Sequence, residues 1–494
     1  MVERNGLMYG WVPPSLLLSR LDGNFNHPDA IETRRRVTST VNSREFRKVC
    51  NRLVCGPFGS TLVSGEHSPT GSVVLVQPTD ISDDLFALEP GWRIEEATRR
   101  EKDLDLYSPG TLLFARVGQY PHCGVLPDRV RTATISSSMI AAEIAPPADP
   151  YFFNAFFRCS FGSALLFAAQ KITAQPTVGT EELGDTIVPY PSPSVQRAIG
   201  NKMRKAERLR EMMATTLAHC NARLSELLGR RLTSAGTRGD RHVTWVPPSL
   251  VESRIDCNYN NREATDARDR VLAYETTRLL HEVSQKIVCG PFGSTLTSDE
   301  HDQSGEVVLV QPTDISGAFF AHTPGWRISQ KTLEEKGLRE YPAGVLLFAR
   351  VGIYPHCGVL PARIPGATIS SSMIAVILDE GQDPYFFSLF FRSDAGLPLL
   401  YAIQKVTAQP TIATEELSTI RVPVPPPGVQ AEIGAKMRES ESYHYEQIAT
   451  LHAARADVEA LIKGTLDETR LLSERDELED WLKQNCDSSA ERRS

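Results

Sequence analysis

Arg116, Gln119, Tyr120 and His122 stand close together around Gly118. Arg and Gln are the side chains that bond bidentately to guanine and adenine edges, and a tyrosine ring can stack or touch a backbone. Further on, Lys171, Thr173 and Gln175 place a cation, a hydroxyl and an amide on alternate positions after a strongly apolar run. Upstream, Gly56 and Gly59 lead into Ser60 and Thr61, a loop composition that grips phosphate through backbone N–H groups and hydroxyls. The set recurs 234 residues later as Ser294, Thr295, Arg350, Tyr354, His356, Lys405, Thr407 and Gln409. Plainer readings stand beside these. The glycine loop is also an ordinary turn into a strand, Arg116 a partner for Asp80 or a neighbour, and the tyrosines packing residues.

Cys55, His67, His122 and Cys123, repeated as Cys289, His301, His356 and Cys357, invite a zinc site. No C-x-x-C or H-x-x-x-H pair supports it, so no metal is expected, and the cysteines read as buried small hydrophobes. Asp149-Pro-Tyr-Phe is similar to the Asp-Pro-Pro-Tyr loop of amino-methyltransferases but lacks the second proline. A helix start, with Asp149 as cap and Pro150 in the first turn, explains it better. No Walker loop, H-E-x-x-H or Ser–His–Asp spacing is found, and Glu334-Glu-Lys336 has no counterpart in the first copy. No catalytic residue is expected.

These residues must be held by two copies of one unit. The repeat runs without a gap from Trp11 to Met203, pairing Trp11 with Trp245 and Trp92 with Trp326. A period this long marks domains, and 494 residues exceed one core. Hydrophobic content of 41 % is ordinary, and a net charge of −8 gives no overall pull towards nucleic acid, so any binding must be local. Nine cysteines without framework spacing, no apolar run of membrane length and no signal-like start lead to an expected cytoplasmic location.

Each copy opens on a leading segment, Trp11-Val-Pro-Pro with Arg20-Leu-Asp22, or Trp245 with Arg254-Ile-Asp256. Residues 45–190 and 279–424 mix short β-branched runs, such as 73–77 and 111–115, with helical stretches at 151–157 and 164–169. The fold class is α+β. After Pro193, a heptad seam runs through Ile199, Met203, Ala206, Met213, Leu217, Cys220, Leu224 and Leu227, with Arg210 its polar member. The second seam holds Ile433, Met437, Leu451, Ala454, Val458 and Leu461, with a polar middle at Ser440, His444 and Gln447. The expected division is 1–192 and 243–426 for the mixed domains and 193–232 and 427–472 for the helices. A linker at 233–242 and a charged tail at 473–494 with a frayed end complete it.

The order of pieces resembles the DNA-specificity subunit of type I restriction–modification systems. The matching stretches are Gly56-Pro-Phe-Gly-Ser60, residues 73–81, 109–118 and Ile135-Ser-Ser-Ser. Then come Pro150-Tyr-Phe-Phe153 and 187–191 with Gln196 and Ile199. They recur at 290–294, 307–315, 343–352, 369–372, 384–387 and 420–425, with Gln430 and Ile433. The resemblance implies two target-recognition domains, each reading one half of a split double-stranded DNA site. They are set apart by two antiparallel coiled-coil helices on which DNA methyltransferase subunits dock, with a motor-nuclease subunit joining in some systems. It places S-adenosylmethionine in the methyltransferase and ATP and Mg in the restriction subunit, with no cofactor here. A helix from Ile199 to Leu227 is about 45 Å long at roughly 1.5 Å per residue, against about 34–36 Å for a DNA turn. Recognition domains of this family usually differ from each other, whereas these are close copies, so near-palindromic half-sites are expected. The copies differ most at 83–90 against 317–324 and at 95–108 against 329–342. Other readings are a related phage-defence methylation system without a restriction subunit, a single-chain enzyme, and an adaptor that never touches DNA.

Overall fold

In a computed structural model of the full chain, residues 2–4, 7–9, 23–57, 61–118, 122–171, 174–229, 256–291, 293, 295–405 and 407–487 are described. The leading segments around Trp11 and Trp245, the linker at 234–240 and the last seven residues lie outside them. The chain divides into two compact units, residues 1–211 with 446–494, and residues 212–445.

The first unit is built in layers on a four-stranded antiparallel sheet, ordered Cys50–Cys55, Met139–Ile144, Leu112–Ala115, Cys123–Val125. A three-stranded sheet of Arg93–Ile94, Val73–Val76 and Ala133–Ile135 carries one parallel pairing, Val74 to Ala133. Alternation explains the unbroken apolar run of Leu112–Ala115. Leu112 and Phe114 enter a core with the helices, while Leu113 and Ala115 enter a second core with Val74, Val76 and Ile135. A strand buried on both faces cannot alternate in polarity. Ser43–Glu45 pairs with Ile187–Pro189, tying the start of the domain to its exit.

Two short helices, Pro150–Arg158 and Ser160–Ala169, meet at an 84° bend and cover the sheet. Their aromatic face locks edge-on: Phe157 lies 5.1 Å from Phe114 and 5.2 Å from Phe46 between ring centres. Each such pair contributes about 0.5–1.5 kcal/mol beyond burial. The helix Pro28–Thr40 packs on Ser160–Ala169, and Asn24 donates to the carbonyl of Phe167 at the end of that helix. Among the described residues no single helix is long and apolar enough to cross a membrane.

The second unit repeats this topology, each strand displaced by 234 residues. The four-stranded sheet is Ser284–Cys289, Met373–Leu378, Leu346–Ala349, Cys357–Val359. The helices Pro384–Arg392 and Leu397–Ile403 cover it.

A long helix, Pro193–Leu228, follows the first domain, and another, Pro427–Lys463, the second. In the first unit Ile199, Met203 and Ala206 share a core with Leu451, Ala454, Val458 and Leu461. The pairing there is antiparallel, with Lys202 on Asp457 (2.7 Å) and Lys205 on Glu446 (2.6 Å). In the second unit Cys220 and Leu224 share a core with Ile433 and Met437, and Met213, Leu217 and Leu227 pack against it half-buried. Ser440, fully buried, donates to the carbonyl of Met213 at 3.0 Å, so the polar middle of this seam is satisfied in part by backbone.

Two boundaries differ from expectation. The second long helix does not run to residue 472. It ends at Lys463, where Gly464 adopts φ +72°, a left-handed conformation that stops a helix cheaply only at glycine. The charged stretch expected to begin a tail at residue 473 belongs to a further helix, Glu468–Asp487. Leu471 is buried in the first unit's core, Glu474 meets Lys202 at 2.9 Å, and Lys205 lies over the Trp481 ring.

Glu207 of the first long helix is buried and accepts from the Tyr151 hydroxyl at 2.9 Å. Burial pushes its carboxyl up to about 7, against the pull of Arg129. The folded chain therefore keeps a proton that the unfolded chain releases near pH 4.5, and stability falls as pH rises from about 4.5 to about 7. The full penalty above that window is on the order of 3 kcal/mol. Glu207→Gln is expected to remove this slope, gaining stability over wild type at pH 8 and little at pH 5. Urea midpoints at the two pH values test this, and a gain of the same size at both contradicts it.

Candidate nucleic-acid interface

The register of the four-stranded sheet sets four loops at one end. Ile140 faces both Cys55 and Phe114, Met139 faces Ala115, and Phe114 faces Cys123. The chain therefore leaves Cys55 into the glycine loop, leaves Ala115 into the loop that returns at Cys123, and enters Met139 through Ser136, Ser137 and Ser138. The fourth loop, 171–177, closes on itself through Lys171 and Thr177. It docks on the second through Gly118 N–H to Pro176 (3.1 Å) and Val178 N–H to Arg116 (2.8 Å). Gln170 donates to the Gly118 carbonyl at 2.8 Å. The second unit repeats each link, including Gln404 to Gly352 at 3.0 Å.

The sequence candidates gather at this rim. Thr61, Arg116, His122, Lys171 and Gln175 lie on its loops in the first unit, and Thr295, Arg350, Tyr354, His356, Lys405, Thr407 and Gln409 in the second. Ser60, Gln119, Tyr120, Thr173 and Ser294 fall outside the described residues. The serine triplets 136–138 and 370–372 were not among the candidates. Serines carry no periodic signal, and only the sheet register brings them here.

The candidate side chains play different parts. Arg116 is half-buried and donates to the Ser137 carbonyl at 3.4 Å, as Arg350 does to Ser371 at 3.1 Å. Each guanidinium thus braces the serine turn. Asp80 is not the partner of Arg116. It accepts from the backbone of Gln77 at 2.8 Å and of Gly91 at 3.3 Å. Lys171 and Lys405 reach solvent but pair with Glu182 (2.5 Å) and Glu416 (3.0 Å). Burial, then the nearby Arg158 or Arg392, holds His122 and His356 below the usual histidine range, so they offer neutral rings at pH 7.

Gly56 and Gly290 are where the rim is tightest. A Cβ on Gly56 would lie 1.9 Å from the Ser136 carbonyl oxygen, and one on Gly290 equally close to Ser370. The glycine loop and the serine turn are therefore in backbone contact, which also brings Gly56 N–H to the Met139 carbonyl at 2.9 Å.

The soft-ligand residues are otherwise engaged. His67 stands edge-on to Trp92 at 3.9 Å, His301 to Trp326 at 4.0 Å, and buried Cys123 donates to the Asn154 side chain at 3.3 Å. Asp149 caps Pro150–Arg158 by accepting from Tyr151 N–H at 2.9 Å. It also forms a two-pronged pair with Arg204 at 2.8 and 2.9 Å, while Gln196 accepts from its N–H. Asp383, Arg438 and Gln430 repeat this.

The divergent loop 83–90 is held by arginines, and its start, at Asp83 and Asp84, lies near His122 of the rim. Arg129 donates to the carbonyls of Phe86 and Ala87, and Arg210 of the long helix also donates to Phe86. Arg210, the polar member of the seam, is thereby spent on the domain.

No family model matches the chain, and no curated protein does. Solved structures do. The chain is similar to the type I restriction–modification system S subunit from M. genitalium, at 12 % identity and TM-score 0.48, covering 87 % of this chain and 97 % of that one. It is also similar to the HsdS subunit from Thermoanaerobacter tengcongensis, at 14 % identity and TM-score 0.27, covering 87 % and 98 %. A third, from a study of complex assembly and conformational transition of the type I R-M system, has 15 % identity and TM-score 0.30, covering 87 % and 99 %.

Proposed function

We propose that this chain is a non-catalytic, sequence-specific DNA-binding specificity subunit with two reading rims. It would direct a DNA methyltransferase to a two-part target whose halves are nearly inverted repeats. The observation that carries this is the charge of the rims. Residues 56–63, 116–122, 136–138 and 171–177, with their counterparts 290–297, 350–356, 370–372 and 405–411, contain no Asp or Glu. At the chain's average of 61 acidic residues in 494, about six would be expected among these fifty positions. An acidic protein whose two equivalent sets of loops carry hydroxyls, amides, tyrosine and arginine but no carboxylate of their own suits a polyanion read by hydrogen bonds, although Glu182 and Glu416 reach Lys171 and Lys405 from the flanking helices.

The sequence motifs shared with type I specificity subunits extend the reading. In it the domains 1–192 and 243–426 recognise, and the helices Pro193–Leu228 and Pro427–Lys463 form a coiled-coil frame for methyltransferase subunits carrying S-adenosylmethionine. A motor-nuclease using ATP and Mg joins where the system restricts as well as modifies. Base-edge contacts specify, phosphate contacts orient, and the helices recruit. Partners supply much of the positive charge, so the isolated chain binds weakly.

Placing a carboxylate in each rim tests the electrostatic claim. Thr61→Glu with Thr295→Glu is expected to weaken duplex binding on the order of tenfold per substitution at low salt, and less at high salt. Fluorescence anisotropy of the full chain on labelled duplex reads this. Unchanged affinity in a folded double variant would remove the rims from the interface.

A further inference from the structure

The two rims agree in 22 of their 25 positions. The exceptions are Val63 against Thr297, Ile172 against Val406, and Gln119 against Ile353. The Ile–Val exchange keeps the chemistry. Thr297 adds a hydroxyl, but its N–H and hydroxyl both meet Glu300, at 2.7 and 3.2 Å. Val63 is 56 % exposed, but exchanging an amide for a branched hydrocarbon is the largest change of chemistry among the three.

Ile353 is where that exchange can be seen. It is 68 % exposed and Tyr354 is 65 % exposed, the two most exposed large hydrophobic side chains among the described residues. The backbone beneath them is held. Gly352, at φ +138°, donates to the Pro410 carbonyl at 3.1 Å and accepts from Gln404. An apolar side chain presented to water from a braced loop, among loops with no carboxylate of their own, is placed to meet an apolar feature of a polyanion. In the major groove that feature is the thymine C5-methyl group, the one hydrocarbon on the base edges. Glutamine at the equivalent position has the geometry to pair with the N6 and N7 of adenine.

We infer that position 119/353 sets the difference between the two half-sites. Ile353 contacts a thymine methyl where Gln119 takes adenine, and the remaining bases are read alike. This rests on the proposed DNA reading. It places the source of asymmetry at one residue of the rim rather than in the divergent loops.

The test is selection of random-sequence duplexes at low ionic strength by the full chain in complex with the DNA methyltransferase encoded beside it, followed by sequencing, for wild type, Ile353→Gln and Gln119→Ile. Wild type is expected to enrich a two-part motif whose halves depart from inverted symmetry at one equivalent position. Ile353→Gln should make the halves identical with adenine, Gln119→Ile should make them identical with thymine, and each should change preference at that position by at least about tenfold. Because Ile353 is 68 % exposed on a loop, the melting curve of Ile353→Gln should overlay wild type. A wild-type motif that neither substitution alters overturns this inference and leaves the DNA reading standing. Enrichment of no motif by wild type overturns both.

Discussion

Gly56→Ala is expected to collapse the first reading rim, while Gly65→Ala, in the same stretch of chain, leaves it intact. A methyl on Gly56 would sit 1.9 Å from the Ser136 carbonyl oxygen and 2.6 Å from its carbon, whereas nothing lies within 4 Å of one on Gly65. The obstructing atoms are backbone, at the turn that opens the central strand Met139–Ile144, so no rotamer change relieves them. Either the glycine loop lifts off, losing its bond to Met139, or the serine turn braced by Arg116 shifts. Overpacking of this kind costs about 1–3 kcal/mol, and more where backbone must move. The functional loss should be larger, because the displaced loops are the proposed contact surface. If each unit reads one half of the target, Gly56→Ala abolishes preference in one half-motif and Gly290→Ala in the other. Duplex selection with the two variants distinguishes this from a general loss. Full retention of both half-motifs in Gly56→Ala would mean the rim is not the reading surface.

Asp149→Ala should strongly destabilise the first unit. The carboxylate is nearly buried, at 7 % exposure, and has two partners. It caps the helix Pro150–Arg158 and pairs with both Nη atoms of Arg204, while the backbone N–H to Gln196 is kept in the variant. Loss of the cap costs about 1 kcal/mol. Removing one member of a buried pair costs about 3–5 kcal/mol, discounted here because Arg204 is a third exposed. A total of about 3–4 kcal/mol follows, seen as a lower urea midpoint. The matching Asp383→Ala is a built-in comparison. Asp383 and Arg438 are 12 % and 44 % exposed, so that substitution should cost clearly less. Equal costs would show that burial of the pair is not what makes it matter.

What the sequence revealed and what it hid follow from the range of each interaction. The strands at Val73–Val76 and Leu112–Ala115 and the cap at Asp149 are local signals and were legible. The helix Pro28–Thr40 was not, because only Ala30, Thr33 and Val37 are buried on an otherwise polar segment. The helix Glu468–Asp487 was hidden for the same reason. The place of Lys171 was legible but its pairing with Glu182 was not, since that depends on how the next helix folds back. The rim itself is a long-range object. Cys50–Cys55 meets Met139–Ile144 far along the chain, and without that pairing the serine triplet has no reason to be counted with the glycine loop.

The most direct test of the central claim is the methylome of a host carrying this chain with a DNA methyltransferase encoded beside it, read by single-molecule sequencing with and without the chain. The account predicts methylation at a split motif with nearly inverted-repeat halves that disappears when the chain is deleted. Methylation that is the same with and without the chain would contradict it.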